Sequence, residues 1–245
     1  MIKLLSYPIS AIYYLFFGLT LIVFHPIQWI CFNLFGSQTH QKSVNALQFC
    51  LMRCAHLLGT RFTCFKSHKI DTNRPLIIVA NHQSLHDIYP LTWYMRKHNP
   101  KFISKIELGK GIPSVSYNLR HGGAVLIDRK NPRQSLPALM KFGEYIETNK
   151  YAAVIFPEGT RSKNGKPKSF QTKGLEILFK KVPSALIVPV TINNSWKMFR
   201  YGKFPLGLGN HLKFIVHKPL ELATFVNKEE LISTIESTIT THIEH

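Results

Sequence analysis

The stretch Asn81-His82-Gln83-Ser84-Leu85-His86-Asp87 sets two imidazoles beside a carboxylate directly after the apolar run Leu76–Ala80. A carboxylate within reach of one imidazole nitrogen fixes the tautomer and stabilises the imidazolium, leaving the other nitrogen to take a proton. His82 and Asp87 fit those parts if the chain leaves a strand at Asn81 and enters a helix near Ser84. His82 is then a general base awaiting a hydroxyl, and Asp87 its orienting partner. Two other readings are open. Ser84 and Asp87 have the spacing of a capping box, with aspartate in place of glutamate. A metal site built from His82, His86 and Asp87 lacks any second cluster to complete its ligands, so no metal is expected and His86 is assigned to a helix surface.

A second chemical stretch is Phe156-Pro157-Glu158-Gly159-Thr160-Arg161-Ser162. Proline and glycine demand a tight turn, Thr160 and the exposed amides offer donors, and Arg161 presents a planar fork suited to phosphate oxygens. Lys163, Lys166 and Lys168 follow closely and read as a solvated basic loop.

The elements that must position these groups are legible from residue 70 onward, where an apolar β-rich run is followed each time by a polar cluster. Leu76–Ala80 leads into Asn81–Asp87, Gly122–Ile127 into Asp128 and Arg129, Ala152–Phe156 into the Pro157–Ser162 turn, and Ala185–Ile192 into Asn193–Trp196. Helical patterns lie between them. Pro132 to Asn149 carries Leu136, Leu139, Met140, Gly143 and Ile146 on one face, with Pro132 suited to a first turn. Strands alternating with helices predict an α/β fold with a mainly parallel, covered sheet, whose strand ends bring the four clusters to one edge. Residues 212–222 read as a further strand ending near Pro219, and Asn227 with Glu230 caps a closing helix bearing Leu231, Ile235 and Ile239.

Composition narrows the partners. Lysine and arginine give the 245-residue chain a formal net charge of +18, which favours polyanions: nucleic acid, anionic membrane or phosphorylated substrates. There is no zinc-finger spacing, RNA-binding strand motif or basic heptad helix, so nucleic acid is not expected. Cys31, Cys50, Cys54 and Cys64 lack paired spacing and read as inert apolar residues of a reducing compartment. From Leu4 to Gln41 no residue is charged, apart from histidine. Ile9 to Phe24 approaches the roughly 20 residues that span a bilayer, and Pro26 is expected to interrupt the run before Ile27–Phe35. One spanning helix, or two helices dipping into a leaflet, are both consistent with it. Residues 1–40 are thus expected to form a membrane-associating helical segment, and residues 41–245 the chemical domain.

Taken in order, the blocks around NHQSLHD, GGAVLIDR, FPEGTRS and IVPVTI resemble those of the glycerolipid acyltransferase family, which includes 1-acylglycerol-3-phosphate acyltransferases. The likeness runs from about Leu76 to Ile192. It implies acyl transfer from a thioester to the hydroxyl of lysophosphatidate, with His82 as base and Asp87 as its partner. Arg129, Glu158, Gly159, Thr160 and Arg161 match the blocks that hold the acceptor phosphate. Pro189 matches a fourth block tied to the donor side or to packing. Lys105 and Glu107 resemble a K-x-E-L stretch, and Lys105 is expected near substrate. Where relatives have F-K-x-G, Phe170–Gly174 is one residue longer, so Lys173 is expected to take the basic position. The family needs no cofactor: acyl-CoA or acyl carrier protein is a co-substrate, and membrane lipid the other partner. The family places the enzyme at a membrane, expected here to be the cytoplasmic face of a bacterial one. Competing readings are acylation of another lysolipid or of glycerol 3-phosphate on the same scaffold, or a non-catalytic basic lipid-binding protein.

Overall fold

The computed structural model describes residues 2–244. It opens with α1 (Ile2–His56), which is two helices joined at Gly36, where φ is 80° and ψ is −177°. That backbone geometry is open to glycine and strained for any side chain. Pro26, expected to be the interruption, lies inside the helix instead, as does Pro8. A proline in a helix removes one internal hydrogen bond but does not forbid continuation when packing holds the segment.

The first part of α1 is amphipathic in reverse. Ser6, Ser10 and Gln28 are fully buried, whereas Leu4, Leu15, Ile22, Trp29, Leu34 and Phe35 are exposed. Small and polar residues therefore face the protein: Ser10 Oγ accepts from Leu206 N at 2.8 Å, and Ser6 Oγ donates to the Lys3 carbonyl. α1 is the one described helix long and apolar enough to cross a membrane, with a mean hydropathy of 1.8 over its most apolar window. Beyond Gly36 the ordinary pattern returns, with Val44, Leu47, Leu51 and Ala55 packed into the core.

The strands are β1 (Arg61–Lys66), β2 (Leu76–Ala80), β3 (Pro100–Lys105), β4 (Val125–Ile127), β5 (Ala152–Ile155), β6 (Leu186–Asn193), β7 (His211–Val216) and β8 (Leu220–Glu221). They form one sheet in the order β1-β7-β6-β2-β5-β3-β4, with β8 also on β6. β6, β2, β5, β3 and β4 run parallel, while β7 and β8 pair antiparallel with β6. The strand expected to end near Pro219 stops at Val216, and Leu220–Glu221 form a separate short strand. His217–Pro219 stands opposite Val188 and Pro189, three residues against two, and Pro219 has no N–H to offer a ladder.

Every residue of β2 and β6 is buried because helices cover both faces. Leu76, Ile78 and Ala80 pack with the second part of α1 and with α2 (Ile88–Tyr94). Ile77 and Val79 pack with α4 (Pro132–Asn149), α5 (Thr172–Lys181) and α6 (Lys228–Thr240). The remaining helix, α3 (Val115–His121), leads into β4. α4 has the expected bounds, but Leu136 and Met140 are exposed, and its inner face is Ser135, Leu139, Phe142, Gly143 and Ile146. The expected face is thus rotated: contact with α5, where Gly143 lies against Lys181 and Val182, buries Ser135 and Phe142 in place of Leu136 and Met140. In α6, Asn227 caps Glu229 N and Leu231, Ile235 and Ile239 are buried as expected.

The break at Gly36 yields a direct test. No atom lies within 4 Å of a Cβ placed there, so Gly36→Ala meets only backbone strain. The expected loss is about 1 to 3 kcal/mol, read as a lower thermal midpoint in neutral detergent; an unchanged midpoint would show that the break contributes nothing to the fold.

Candidate active site

β2, β5, β3 and β4 end on one edge, and the clusters after them meet there. Asn81, the first residue past β2, bonds across to β6: its amide nitrogen donates to the Ile192 carbonyl at 2.8 Å, and its oxygen accepts from Ile192 N at 2.7 Å. The chain then turns, and Leu85–Asp87 form one 3-10 turn capped by Ser84.

Asp87 is fully buried at the centre of this turn. Its Oδ2 accepts from His82 Nδ1 at 2.7 Å, from Gln83 N at 2.7 Å and from Ser84 N at 2.9 Å. Its Oδ1 accepts from the Ser195 hydroxyl, which belongs to the cluster after β6. The capping box and the imidazole contact, alternatives in the sequence, are both made by the same carboxylate. Since a carboxylate only accepts, the His82 proton sits on Nδ1 and Nε2 is left as the basic nitrogen. The His82 side chain is 14% exposed and stacks on Phe156, with ring centroids 4.2 Å apart. Its orientation is thus fixed from one side by charge and from another by packing.

The turn after β5 grips the same histidine by its backbone. Glu158 Oε1 accepts from His82 N at 2.7 Å, its Oε2 accepts from Lys168 N at 3.0 Å, and Ser162 N donates to the His82 carbonyl at 2.7 Å. Glu158, expected among the phosphate contacts, is buried with both oxygens engaged by amides. With both oxygens taken by amides and the side chain absent from the lining of the cleft, Glu158 lies beneath the site rather than on its rim. Burial pushes its carboxyl from 4.5 up to about 7, against the pull of the His82 and Lys168 amides. Gly159 has φ 69°, which lets the chain reverse so that Thr160 and Arg161 emerge into solvent.

Arg129, after β4, donates to the Gly159 carbonyl, so the second and third blocks do meet. Around them opens a cleft of about 680 Å³. His82, Lys105, Arg129, Gly159, Thr160 and Arg161 line its polar rim. Its interior is apolar, running between α1 and the sheet past Leu47, Leu51, Ile88, Phe102 and Leu119. Lys173 is exposed in the first turn of α5 and is not part of this lining. Pro189 is interior to β6, paired with Val79, a packing position.

His86 is a second correction. It is buried, its Nδ1 bonds Tyr89 Oη at 2.8 Å, and it stacks on Phe199, so burial lowers its pKa to about 3. Its position in a one-turn helix gave no sign of which face would be covered. No group of His, Cys, Asp or Glu among the described residues could hold a metal ion. The residues missed were Asn81 and Ser195. Both are short polar side chains directly after buried strands, which is the one signal that could have marked them.

The acyltransferase family profile matches residues 61–193, more than half of the chain. The chain belongs to the acyltransferase family. It is 34% identical over 152 residues to the chloroplastic 1-acyl-sn-glycerol-3-phosphate acyltransferase LPAT1 of Arabidopsis thaliana, a stretch covering 61% of this chain and 40% of that protein. It is 37% identical over 134 residues to the 1-acyl-sn-glycerol-3-phosphate acyltransferase of Helicobacter pylori, covering 55% and 54%. The matched stretch thus spans about half, or less, of these curated relatives. The fold is that of the LPA acyltransferase PlsC of Thermotoga maritima: TM-score 0.81 at 24% identity, over 98% of this chain and 95% of that one. Membership does not itself assign a part to any side chain of the site.

Two substitutions test how the site is held. Asn81→Ala strands the Ile192 N–H and carbonyl, and should destabilise by about 1 to 3 kcal/mol in chemical denaturation; a neutral result would remove Asn81 from the framework. Glu158 binds its proton more tightly folded than unfolded, so its contribution to stability is present at low pH and is lost as pH rises from 4.5 through about 7. Glu158→Gln cannot titrate, so its thermal midpoint should lack that part of the decline, and an unaltered profile would contradict the shifted carboxyl.

Proposed function

We propose that this acyltransferase moves an acyl chain from a thioester to the free hydroxyl of 1-acylglycerol 3-phosphate, giving phosphatidate, with His82 as general base. The observation that carries the reading is the position of the His82–Asp87 pair, where a cationic rim meets an apolar cleft of about 680 Å³. A phosphorylated head and a hydrocarbon chain need those two environments on either side of one reactive atom. The names of the similar Arabidopsis and Helicobacter proteins support the acceptor.

In this reading the acceptor phosphate lies against Arg161 and Arg129, which places its hydroxyl at His82 Nε2. The imidazole takes the proton as the oxygen attacks the thioester carbonyl, and Asp87 stabilises the imidazolium that results. Donors at the rim meet the tetrahedral oxyanion. Collapse then breaks the C–S bond and expels the thiolate of coenzyme A or acyl carrier protein, which takes up the proton held by His82 and leaves as the thiol. A thioester is already activated, so the chemistry asks nothing of a metal or nucleotide, and no residue of the protein is acylated. The outward-facing Leu4, Leu15, Trp29 and Leu34 of α1 seat the protein in lipid, with the net positive charge drawing it to an anionic cytoplasmic leaflet. The substrates are thus met where they reside.

Thiol release measured with a panel of lysolipids and both thioester carriers tests the proposal. Lysophosphatidate should be preferred; no release with any acceptor would leave a lipid-binding protein, and preference for another acceptor would reassign the substrate. His82→Ala should keep its fold and membrane binding and lose about a hundredfold or more in turnover. Arg161→Ala should weaken the acceptor's specificity constant by about ten- to a hundredfold with the donor dependence little altered. A defect confined to the donor would place the phosphate elsewhere.

A further inference from the structure

At the opposite edge of the sheet, where β3 and β5 begin, lies a second cavity of about 380 Å³. Its lining includes His40, Lys42, Lys101 and His121, with Asn99 and Tyr145, and no aspartate or glutamate. Lys101 decides what this cavity lacks. It is 7% exposed, yet its ammonium has one hydrogen bond, to Gln41 Oε1 at 2.6 Å, and stands 5.1 Å from the centre of the Tyr151 ring. Among the described residues it forms no salt bridge. Burial alone pulls it down to about 8. His40 is 1% exposed, its Nε2 has no partner, and burial together with Lys101 and His121 lowers it to about 4.

Buried ammonium groups in folded proteins are ordinarily matched by a carboxylate or other anion, because desolvation of an unmatched charge costs several kcal/mol (about that order). Here the lining supplies amides, phenols, imidazoles and a second ammonium, Lys42, but no counter-charge. The cavity has room for a phosphate group and its substituent, since a water molecule occupies about 30 Å³ of liquid. Its mouth is formed by Ser37 and Gln38, immediately after the Gly36 break that ends the outward-apolar part of α1. Gln41, Lys101 and Gly122 line both cavities, so the Lys101–Gln41 bond is a partition between this polar chamber and the apolar cleft.

We propose that this chamber is a second anion site, which takes a phosphate group as the missing counter-charge of Lys101, with Lys42 as a further cation and the His121 ring as a hydrogen-bonding neighbour. It is distinct from the rim around Arg161, which lies at the other ends of the same strands. The phosphate is the shared chemistry of two sources, the headgroup of an anionic lipid beside α1 and a soluble phosphate ester. Neither source requires the acceptor assignment made above.

The test uses the full chain in neutral detergent, with thermal midpoints recorded against increasing glycerol 3-phosphate or dihexanoyl phosphatidylglycerol, each at ionic strength matched with chloride. Working in Arg161→Ala weakens anion binding at the rim. In that background a saturable stabilisation should persist, and adding Lys101→Met, which keeps volume and removes charge, should weaken its apparent Kd by about tenfold or more. Lys42→Gln, at the exposed lip, should weaken it in the same direction and serves if Lys101→Met fails to fold. A much lower Kd for the phospholipid than for glycerol 3-phosphate identifies a lipid headgroup; equal values identify a soluble ester. The proposal is overturned if phosphate stabilises no more than chloride, or if both Lys variants respond like the Arg161→Ala parent. If Arg161→Ala and wild type respond alike while the Lys variants do not, the rim assignment fails and this one stands.

Discussion

One buried carboxylate holds the candidate site together. Asp87 accepts hydrogen bonds from an imidazole, two consecutive amides and a hydroxyl, and these donors come from the turn after β2 and the cluster after β6. A charge with no solvent contact is tolerable only when its lone pairs are filled. That requirement fixes the turn, the ring and the Ser195 loop together, so the catalytic geometry and the local fold cannot be separated energetically. Asn81 extends the same arrangement into the sheet by bonding both polar groups of Ile192. The result is a reactive group mounted on the most buried strands of the protein, a rigid base from which the exposed Arg161 and Lys105 can reach.

The second constraint comes from solvent. α1 turns serines and a glutamine inward and leucines and aromatics outward, the reverse of a water-facing helix. Such a face is stable only when something apolar covers it. The cleft lies under this helix, with Phe17 and Leu21 among its walls, so the covered face and the apolar interior share one element. In the proposed function, membrane seating and substrate binding are then properties of one helix, read from its two sides.

The sequence was most informative where local chemistry and fold agree. Buried strands announced themselves as apolar β-branched runs, and the polar clusters after them marked the edge at which they end. It was least informative where tertiary packing chooses among equivalent options. His86 could lie on either face of a one-turn helix, and the stacking of Phe199 against it comes from far along the chain. Leu136 and Met140 share a helical stripe with Leu139, yet contact with α5 buries a different arc. Pro26 carries the stronger breaker reputation, but it lies inside a continuous helix, and Gly36 takes the conformation that ends it. Glu158 sits inside a motif that resemblance ties to phosphate, and its hydrogen bonds place it under the backbone of His82. Its acidity alone argued for that place, since a carboxylate does not attract a phosphate.

The two peptide groups flanking the His82 side chain are both tied to the loop after β5: the amide to Glu158, the carbonyl to Ser162. The loop that carries Arg161 and the imidazole therefore form one mechanical unit. A change in loop length or sequence that shifts the anchor points moves the ring as well, whatever it does for a new headgroup. Grafting this loop from a relative would have to bring Glu158 and Ser162 along as a pair, because they are the two points at which it is fastened to the backbone of His82. Specificity can drift on the outside of the loop because its inside is fastened to the machinery.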